Sequence, residues 1–186
     1  MNFGIYGLDI IYNAVHDHVS DIKEYRTKTL PLAQSLGLES FYTDSDMQLF
    51  FRYASSHSDL VQFIVDEYHR IDQFLISKRN YETAVLFITG GVLESMFFTG
   101  MSIEEKGLSD LKYNLLVNEK HLINQLVHIY KFFPENGKMQ ALKRELVKIQ
   151  DDLNSFSSRE ELTEEIAKQL DDDIFVLREA IVANQL

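Results

Sequence analysis

The sequence contains no cysteine, and it has only 2 prolines and 8 glycines among 186 residues. Without cysteine the chain can form no disulfide, no thiolate nucleophile and no cysteine-ligated metal site. The scarcity of proline and glycine argues against a loop-rich all-β fold. These absences leave a helical globular protein as the class to test first.

Basic residues are also in deficit, with 18 Lys and Arg against 29 Asp and Glu, which gives a net charge of −11. An acidic surface repels phosphate, so nucleic acid and anionic membranes are poor partners. The charge is compatible with a cationic partner, but solubility alone explains it and is the interpretation we favour. The opening residues carry no basic region and no cleavage signature, so we see no signal peptide.

Apolar residues recur at intervals of three and four along most of the chain, and no strand-like alternation is evident. The clearest stripes run through 60–75, 139–153 and 162–181. The pattern predicts an all-α fold: a single domain over residues 1–186, with about eight antiparallel helices around a central helix at 81–101. We expect Ser157 or Ser158 to begin the last helix, and Pro31 to kink the second helix or mark a restart.

The central segment 81–101 is apolar on nearly all sides, which is typical of a helix in the middle of a domain. Gly90 and Gly91 together cost it about 2 kcal/mol of helix propensity. We therefore expect another segment to approach its backbone closely there. Glu94 follows one turn later and needs a polar partner or a solvent-filled pocket. Because Glu94 and the glycines interrupt the apolar run, we do not expect this helix to span a membrane.

Histidines and carboxylates near the start of the chain are candidates for a metal site. His16, Asp17 and His18 are consecutive, and Asp21 follows. Two histidines two apart point away from each other on a regular helix, so they converge only if the helix ends between them. One hypothesis is a metal-dependent, hydrolase-like enzyme that uses His16, His18 and His69 with neighbouring acids. The alternative is a polar corner between two helices.

Two further groups of titratable residues carry weaker signals. Asp66 and His69 have the spacing of half a di-metal bundle site, but no second pair exists, so a solvated helix face is the favoured interpretation. His121 and His128 lie seven apart on one helix face, where they either line a groove or are ordinary surface residues. The chain shows no arrangement typical of a nucleophilic triad and no glycine-rich phosphate loop.

Three segments resemble a family of uncharacterised secreted lipoproteins from Bacteroidota. The opening NFGIYGLDIIY, at 2–12, is similar to that family's N-x-G-[VI]-Y-x-x-D-[LI]-x-Y segment. The Leu-Gly-Leu step at 36–38, followed by Phe41 and Tyr42, resembles its "LGI" step. The central ITGGVLESMF, at 88–97, is similar to its G-G-x-x-E-[GS]-[ML] motif. The resemblance covers the first half of the chain, and beyond that only the helical layout is similar.

The resemblance implies an all-helical, exported protein at the periplasm or the outer membrane surface. Members of that family are anchored through a lipidated cysteine near the start, which this sequence does not contain. We therefore expect the sequence to begin after the anchor, so that membrane attachment would be through a lipid outside this chain. No activity is established for the family, so the resemblance supplies no catalytic residue and no cofactor.

Our leading hypothesis is a non-enzymatic exported domain that binds an unknown protein or small molecule beside the glycine pair. The opening segment is included because it shares the family-like residues with the central helix, and we expect the two to pack together. A purely structural subunit of an envelope assembly is a further alternative, and it predicts an exposed apolar patch. The expected ligand-lining residues are Tyr6, Asp9, Tyr12, Gly90, Gly91 and Glu94.

Overall fold

The computed structural model describes residues 1–16, 18–54, 56–134 and 137–185, and omits the side chain of His57. In these ranges 83% of the structure is helical and no strand occurs, which confirms the all-α fold class. Short 3-10 turns occupy Glu39–Phe41 and Tyr130–Phe132. The eight α-helices are α1 (Asn2–Val15), α2 (Val19–Ser35), α3 (Asp44–Tyr53), α4 (His57–Ser77), α5 (Tyr81–Lys106), α6 (Asp110–Ile129), α7 (Gly137–Asn154) and α8 (Glu164–Val182).

Contacts between Cα atoms group the chain into two compact units, Met1–Gly91 and Val92–Leu186. The boundary falls inside α5, directly after the glycine pair. Within the first unit α1 packs on α2 and α4, and α3 packs on α4. Within the second unit α7 packs on both α6 and α8. Helices joined by short connections are therefore neighbours, as an antiparallel bundle requires, while the prediction of one domain over 1–186 stays a prediction.

The first unit is built on two clusters of buried side chains that share α1 and α4. Phe3, Ile71 and Phe87 lie in one cluster, and Ile10 and Phe50 lie in the other. Aromatic residues bury the largest areas and dominate such cores. Their contacts place the N-terminal half of α5 against α1.

The second unit is built from leucine and isoleucine stripes on its helices. Leu142, Leu146 and Ile149 of α7, and Leu170 and Ile174 of α8, are almost completely buried. Their spacing of three and four residues puts each stripe on one side of its helix, as the sequence predicts. The cores of α7 and α8 therefore follow from periodicity alone.

One local prediction about helices is wrong, and another is narrowed. The last helix does not begin at Ser157 or Ser158: Thr163 is its N-cap and accepts a hydrogen bond from the backbone N–H of Ile166 at 3.2 Å. The acidic first turn is therefore Glu164 and Glu165. In α2 the helix runs through Pro31 to Ser35 without a restart, and the alternative of a kink at Pro31 stays a prediction.

Helix α5 is long and apolar enough to cross a membrane by length and composition. In its most apolar window, 56% of the residues are buried inside the fold. The core helix of a water-soluble protein has the same properties, so length and composition leave the membrane question open.

Candidate functional site

The expected close approach at the glycine pair is present, and it involves the start of α1. A Cβ atom at Gly90 would overlap the carbonyl oxygen of Met1. At Gly91 a Cβ atom would only touch the side chain of Leu8, at 3.4 Å, which is ordinary van der Waals contact. Gly90 is therefore required by backbone packing, whereas Gly91 is not.

Sequence reasoning missed two glycines of α1, of which Gly4 faces α5 at this crossing and Gly7 faces Tyr68 of α4. A Cβ atom at Gly4 would overlap the carbonyl oxygen of Phe87 and lie 2.8 Å from the backbone nitrogen of Gly91. A Cβ atom at Gly7 would occupy the place of the Tyr68 ring, whose hydroxyl donates a 3.0 Å hydrogen bond to the carbonyl of Phe3. The spacing of two small residues one turn apart on α1 was the available signal, because such residues let helix backbones approach.

The other expected ligand-lining residues of the first unit lie along α1. The ring of Tyr6 packs against Tyr25, and the ring of Tyr12 packs against His16 with centroids 4.2 Å apart. Asp9 is buried, and its backbone carbonyl accepts a hydrogen bond from the Asn13 side chain. The two cavities described below are lined by other residues, so ligand binding by this group stays a prediction.

Glu94 belongs to the second unit, where it forms a buried ion pair. Arg178 of α8 donates from Nε to Oε2 at 2.6 Å and from Nη2 to Oε1 at 2.9 Å. The guanidinium also stacks on Phe97, 4.6 Å from the ring centroid. A bidentate pair satisfies both carboxylate oxygens. The polar partner that the sequence predicts for Glu94 is therefore an arginine.

The histidines of the metal hypothesis do not form a cluster. Across the described ranges, which leave out Asp17, no three His, Asp or Glu side chains are placed to hold a metal ion. The rings of His16 and His18 are 6.2 Å apart, and His18 hydrogen-bonds Asn13. On α4 the exposed His69 contacts Gln73. The contacts of His16 and His18 match a polar corner between two helices, and those of His69 match a solvated helix face.

A second buried ion pair lies in the first unit and had no sequence signal beyond the charges themselves. Arg26 Nη1 donates to Glu67 Oε1 at 2.8 Å, and both side chains are almost completely buried. The guanidinium lies between the rings of Tyr42 and Phe50, at 4.2 and 4.5 Å from their centroids. Burial and the neighbouring Glu67 carboxylate raise the pKa of Tyr42. Such a pair is costly to break because either partner alone is a buried charge.

Glu119 of α6 is a buried carboxyl group held by hydroxyls. Thr99 and Ser95 donate to its Oε1 at 2.9 and 3.2 Å, while its Oε2 makes no hydrogen bond to a described residue. Burial raises the pKa of Glu119 to about 7, although the two hydrogen bonds work in the opposite direction. A carboxyl of this kind exchanges its proton near neutral pH.

A cavity of about 630 Å³ lies in the second unit, between the end of α5 and the start of α8. We call it the α5–α8 cavity. Its volume is in the range of small-molecule sites. Four carboxylates and two cationic side chains contribute to its lining, so its charge is negative. The lining residues are Gly100, Ile103, Glu104, Gly107, Leu108, Arg159, Leu162, Glu164, Ala167, Lys168, Asp171 and Asp172.

Two residues of this lining each hold one polar atom that is shielded from solvent and makes no hydrogen bond to a described residue: Nε of Arg159 and Oδ1 of Asp171. Arg159 is anchored by its Nη2, which donates to the carbonyl of Leu108 at 3.1 Å. Asp171 lies over Gly100, where a Cβ atom would overlap its carboxylate. Leaving such a group unmatched costs about 1–3 kcal/mol.

The electrostatics of the cavity favour a cation near Asp171. Burial, followed by the negative charges of Glu104 and Asp172, raises the pKa of Asp171. Like charges held together destabilise the ionised form, and a positive charge placed among them relieves that repulsion. The cavity is therefore suited to a ligand with a cationic group.

A second, shallower cavity of about 790 Å³ lies on the first unit between α3 and α4. Asp66, His69 and Arg70 line its surface, and Tyr53 and Phe63 form its floor with rings 5.8 Å apart. Asp66 already accepts a hydrogen bond from Gln62 at 2.8 Å. This surface offers polar groups that are satisfied or solvated, so it makes a weaker site than the α5–α8 cavity.

Comparison of the chain with protein-family models, with curated proteins and with solved structures returned no match.

Proposed function

We propose that this protein is a non-enzymatic binding domain whose small-molecule ligand occupies the α5–α8 cavity. One observation carries the proposal: a cavity of about 630 Å³, within the size range of small-molecule sites, is lined by charged side chains of both signs together with apolar ones. Export to the periplasm or the outer membrane surface is part of the same proposal, and its support is the resemblance of the opening and central segments to secreted lipoproteins.

Binding rather than catalysis is supported by the kind of groups that line the cavity. Its lining supplies carboxylates, one guanidinium, one ammonium and apolar side chains, with no serine, histidine or cysteine among them. Charged groups that surround a pocket fix the orientation of a ligand. The lining therefore offers no hydroxyl or thiol nucleophile paired with a histidine base.

Titration of ¹⁵N-labelled protein with butylamine, butyrate and γ-aminobutyrate tests the proposal. Glycine amides resolve well in such spectra, and Gly100 and Gly107 line the cavity while Gly37 lies in the first unit. We expect at least one compound to shift Gly100 and Gly107 saturably and to leave Gly37 unchanged. If none of the three shifts the cavity glycines, the proposed function is wrong.

A matched pair of variants assigns the binding to the cavity. Asp171→Asn removes the charge of a lining residue, while Asp151→Asn makes the same change at an exposed position of α7. We expect the first variant to weaken binding of the amine and the second to have no effect. Equal affinities in the two variants would place the binding elsewhere.

A second candidate function, self-assembly, is supported by an exposed apolar stripe along α6. Leu111, Leu115, Leu122, Ile129 and Phe132 are between 37% and 78% exposed. The first four lie on α6 and Phe132 lies in the 3-10 turn that follows. Their spacings of four, seven, seven and three place them on one coiled-coil-like face, on which Asn118 and Gln125 occupy the two intervening positions. The expected occupant is the α6 stripe of a second copy of this chain, because identical seams are complementary to each other.

Sedimentation equilibrium measures this self-assembly directly. Leu122→Lys introduces a charge at the centre of the stripe, and Val176→Lys introduces one at an exposed apolar position of α8. We expect a dimer that Leu122→Lys dissociates and Val176→Lys preserves. A wild-type protein that stays monomeric at high concentration excludes self-assembly through α6.

A further inference from the structure

We infer that two copies of this chain pair through α6 with their α6 helices parallel and in register. This inference rests on self-assembly, the second candidate function, and adds the orientation of the two copies. It follows from the charge of the exposed α6 face and from the order of polar and apolar positions along the stripe. The ligand proposed for the α5–α8 cavity plays no part in it.

The exposed face of α6 is free of fixed charge over most of its length. Within 114–129, all of which the structure describes, the exposed residues include no Asp, Glu, Lys or Arg, although these types make up 25% of the sequence. The chain has a net charge of −11, so two copies repel each other wherever their acidic surfaces meet. Depletion of charged residues is typical of the core of an interface. A second copy can therefore approach α6 without bringing like charges together. The exposed residues are Asn114, Leu115, Asn118, His121, Leu122, Gln125, His128 and Ile129.

Two amide side chains interrupt the apolar stripe at seam positions. Asn118 lies between Leu115 and Leu122, and Gln125 lies between Leu122 and Ile129. Both amides are exposed in the single chain, so pairing of two copies removes them from water. An amide that loses water needs another polar group, because a buried amide without a hydrogen bond is unfavourable.

The orientation of the two helices decides what each amide meets. Leu115, Leu122 and Ile129 form one set of seam positions, which is wholly apolar, and the alternate set holds both amides. In an antiparallel pair the positions of one set pack against those of the other, so both amides face apolar side chains. In a parallel pair in register each position meets its own copy, so amide meets amide and leucine meets leucine. A polar residue in such a seam is known to fix register in this way.

Single cysteines report the orientation, because the natural sequence contains none. A disulfide requires the two Cα atoms to lie within about 7 Å. Under aerobic oxidation with copper phenanthroline we expect Leu115→Cys alone and Ile129→Cys alone each to form a linked dimer. In an antiparallel pair centred on Leu122, equal positions lie about 14 residues or about 21 Å apart along the axis. Neither variant then links alone, and only a mixture of the two does.

A charge exchange at Asn118 tests the same contact without oxidation. In a parallel pair, Asn118→Asp alone and Asn118→Lys alone each bring like charges together. We expect each variant to dimerise about tenfold more weakly than the wild type in sedimentation equilibrium. An equimolar mixture of the two should recover the wild-type affinity, because opposite charges then meet at the seam. A mixture that dimerises no better than its components overturns the inference.

The control and the remaining outcomes separate orientation from self-assembly. Val176→Cys, at an exposed position of α8, should not link under the same conditions. Equal linking of Val176→Cys would mean random collision and would overturn the inference. A wild-type dimer whose α6 cysteines link only in the mixture overturns the parallel orientation and leaves self-assembly standing. A wild-type chain that stays monomeric removes both, and the α6 face is then covered by a different partner or by none.

Discussion

Replacing Glu119 by glutamine removes a carboxyl group that the folded protein holds away from water. The pKa of this group rises from its ordinary value of 4.5 to about 7, because burial penalises the charged form. Glutamine has the same shape and no charge, and its carbonyl can still accept the hydrogen bonds from Thr99 and Ser95. The substitution therefore isolates the cost of ionising a buried carboxyl.

The sign of the effect follows from proton linkage. Below pH 4.5 the Glu119 carboxyl is protonated in both the folded and the unfolded chain, and its favourable contribution to the free energy of unfolding is complete. Between 4.5 and about 7 the folded state holds the proton more tightly, so each pH unit lowers the free energy of unfolding by about 1.4 kcal/mol. The contribution is lost as the pH rises through 7, and the total loss is roughly 3 kcal/mol.

Urea unfolding followed by circular dichroism suits this comparison, since the chain has no tryptophan. At about pH 8 we expect Glu119→Gln to be roughly 3 kcal/mol more stable than the wild type, and near pH 4.5 we expect little difference. Glu105→Gln, at an exposed position of α5, is the matched control, and we expect it to be as stable as the wild type at both pH values. A stability difference that is the same at both pH values would refute the reasoning.

Two further pairs of substitutions test packing in the first unit. Gly90→Ala should destabilise the protein by about 2 kcal/mol, because its Cβ overlaps the Met1 carbonyl, whereas Gly91→Ala should stabilise it by up to about 1 kcal/mol through helix propensity. Thermal unfolding of both variants measures whether their stability changes have opposite signs. Similar changes in the two variants would contradict the close approach of Met1 to Gly90. Arg26→Met should cost about 3–5 kcal/mol by leaving Glu67 buried and unpaired, and adding Glu67→Met should restore most of that loss. Urea unfolding measures both variants, and a double variant less stable than the single one would argue against charge burial as the cause.

Much of the helical layout was predictable because it depends on local periodicity. The stripe from Met139 to Leu153 predicts α7, and the stripe from Leu162 to Ile181 predicts the body of α8. The start of α8 was missed because both Ser157 and Thr163 are good caps, and propensity does not rank them. Helix α1 includes Gly4 and Gly7, whose low helix propensity is overridden by packing against α5 and α4.

The candidate sites were predictable only in part. A buried Glu94 on an apolar helix demands a partner, but the choice of Arg178 depends on how α5 and α8 meet within the second unit. The α5–α8 cavity was not foreseen, since Arg159 lies in a connection and Asp171 on a helix, with no motif that links them. Side chains that come together from distant parts of the chain leave no local pattern.

The amino-acid sequence by itself determined the all-α class, most helix positions and the need for a close approach at the glycine pair. Each of these depends on a residue's neighbours three or four places along a helix, or on the missing Cβ of glycine. Tertiary structure alone decided which segment fills the space at Gly90, which arginine pairs with Glu67 and with Glu94, and which side chains line the α5–α8 cavity. Those outcomes depend on distances between helices far apart in the chain, and packing sets those distances.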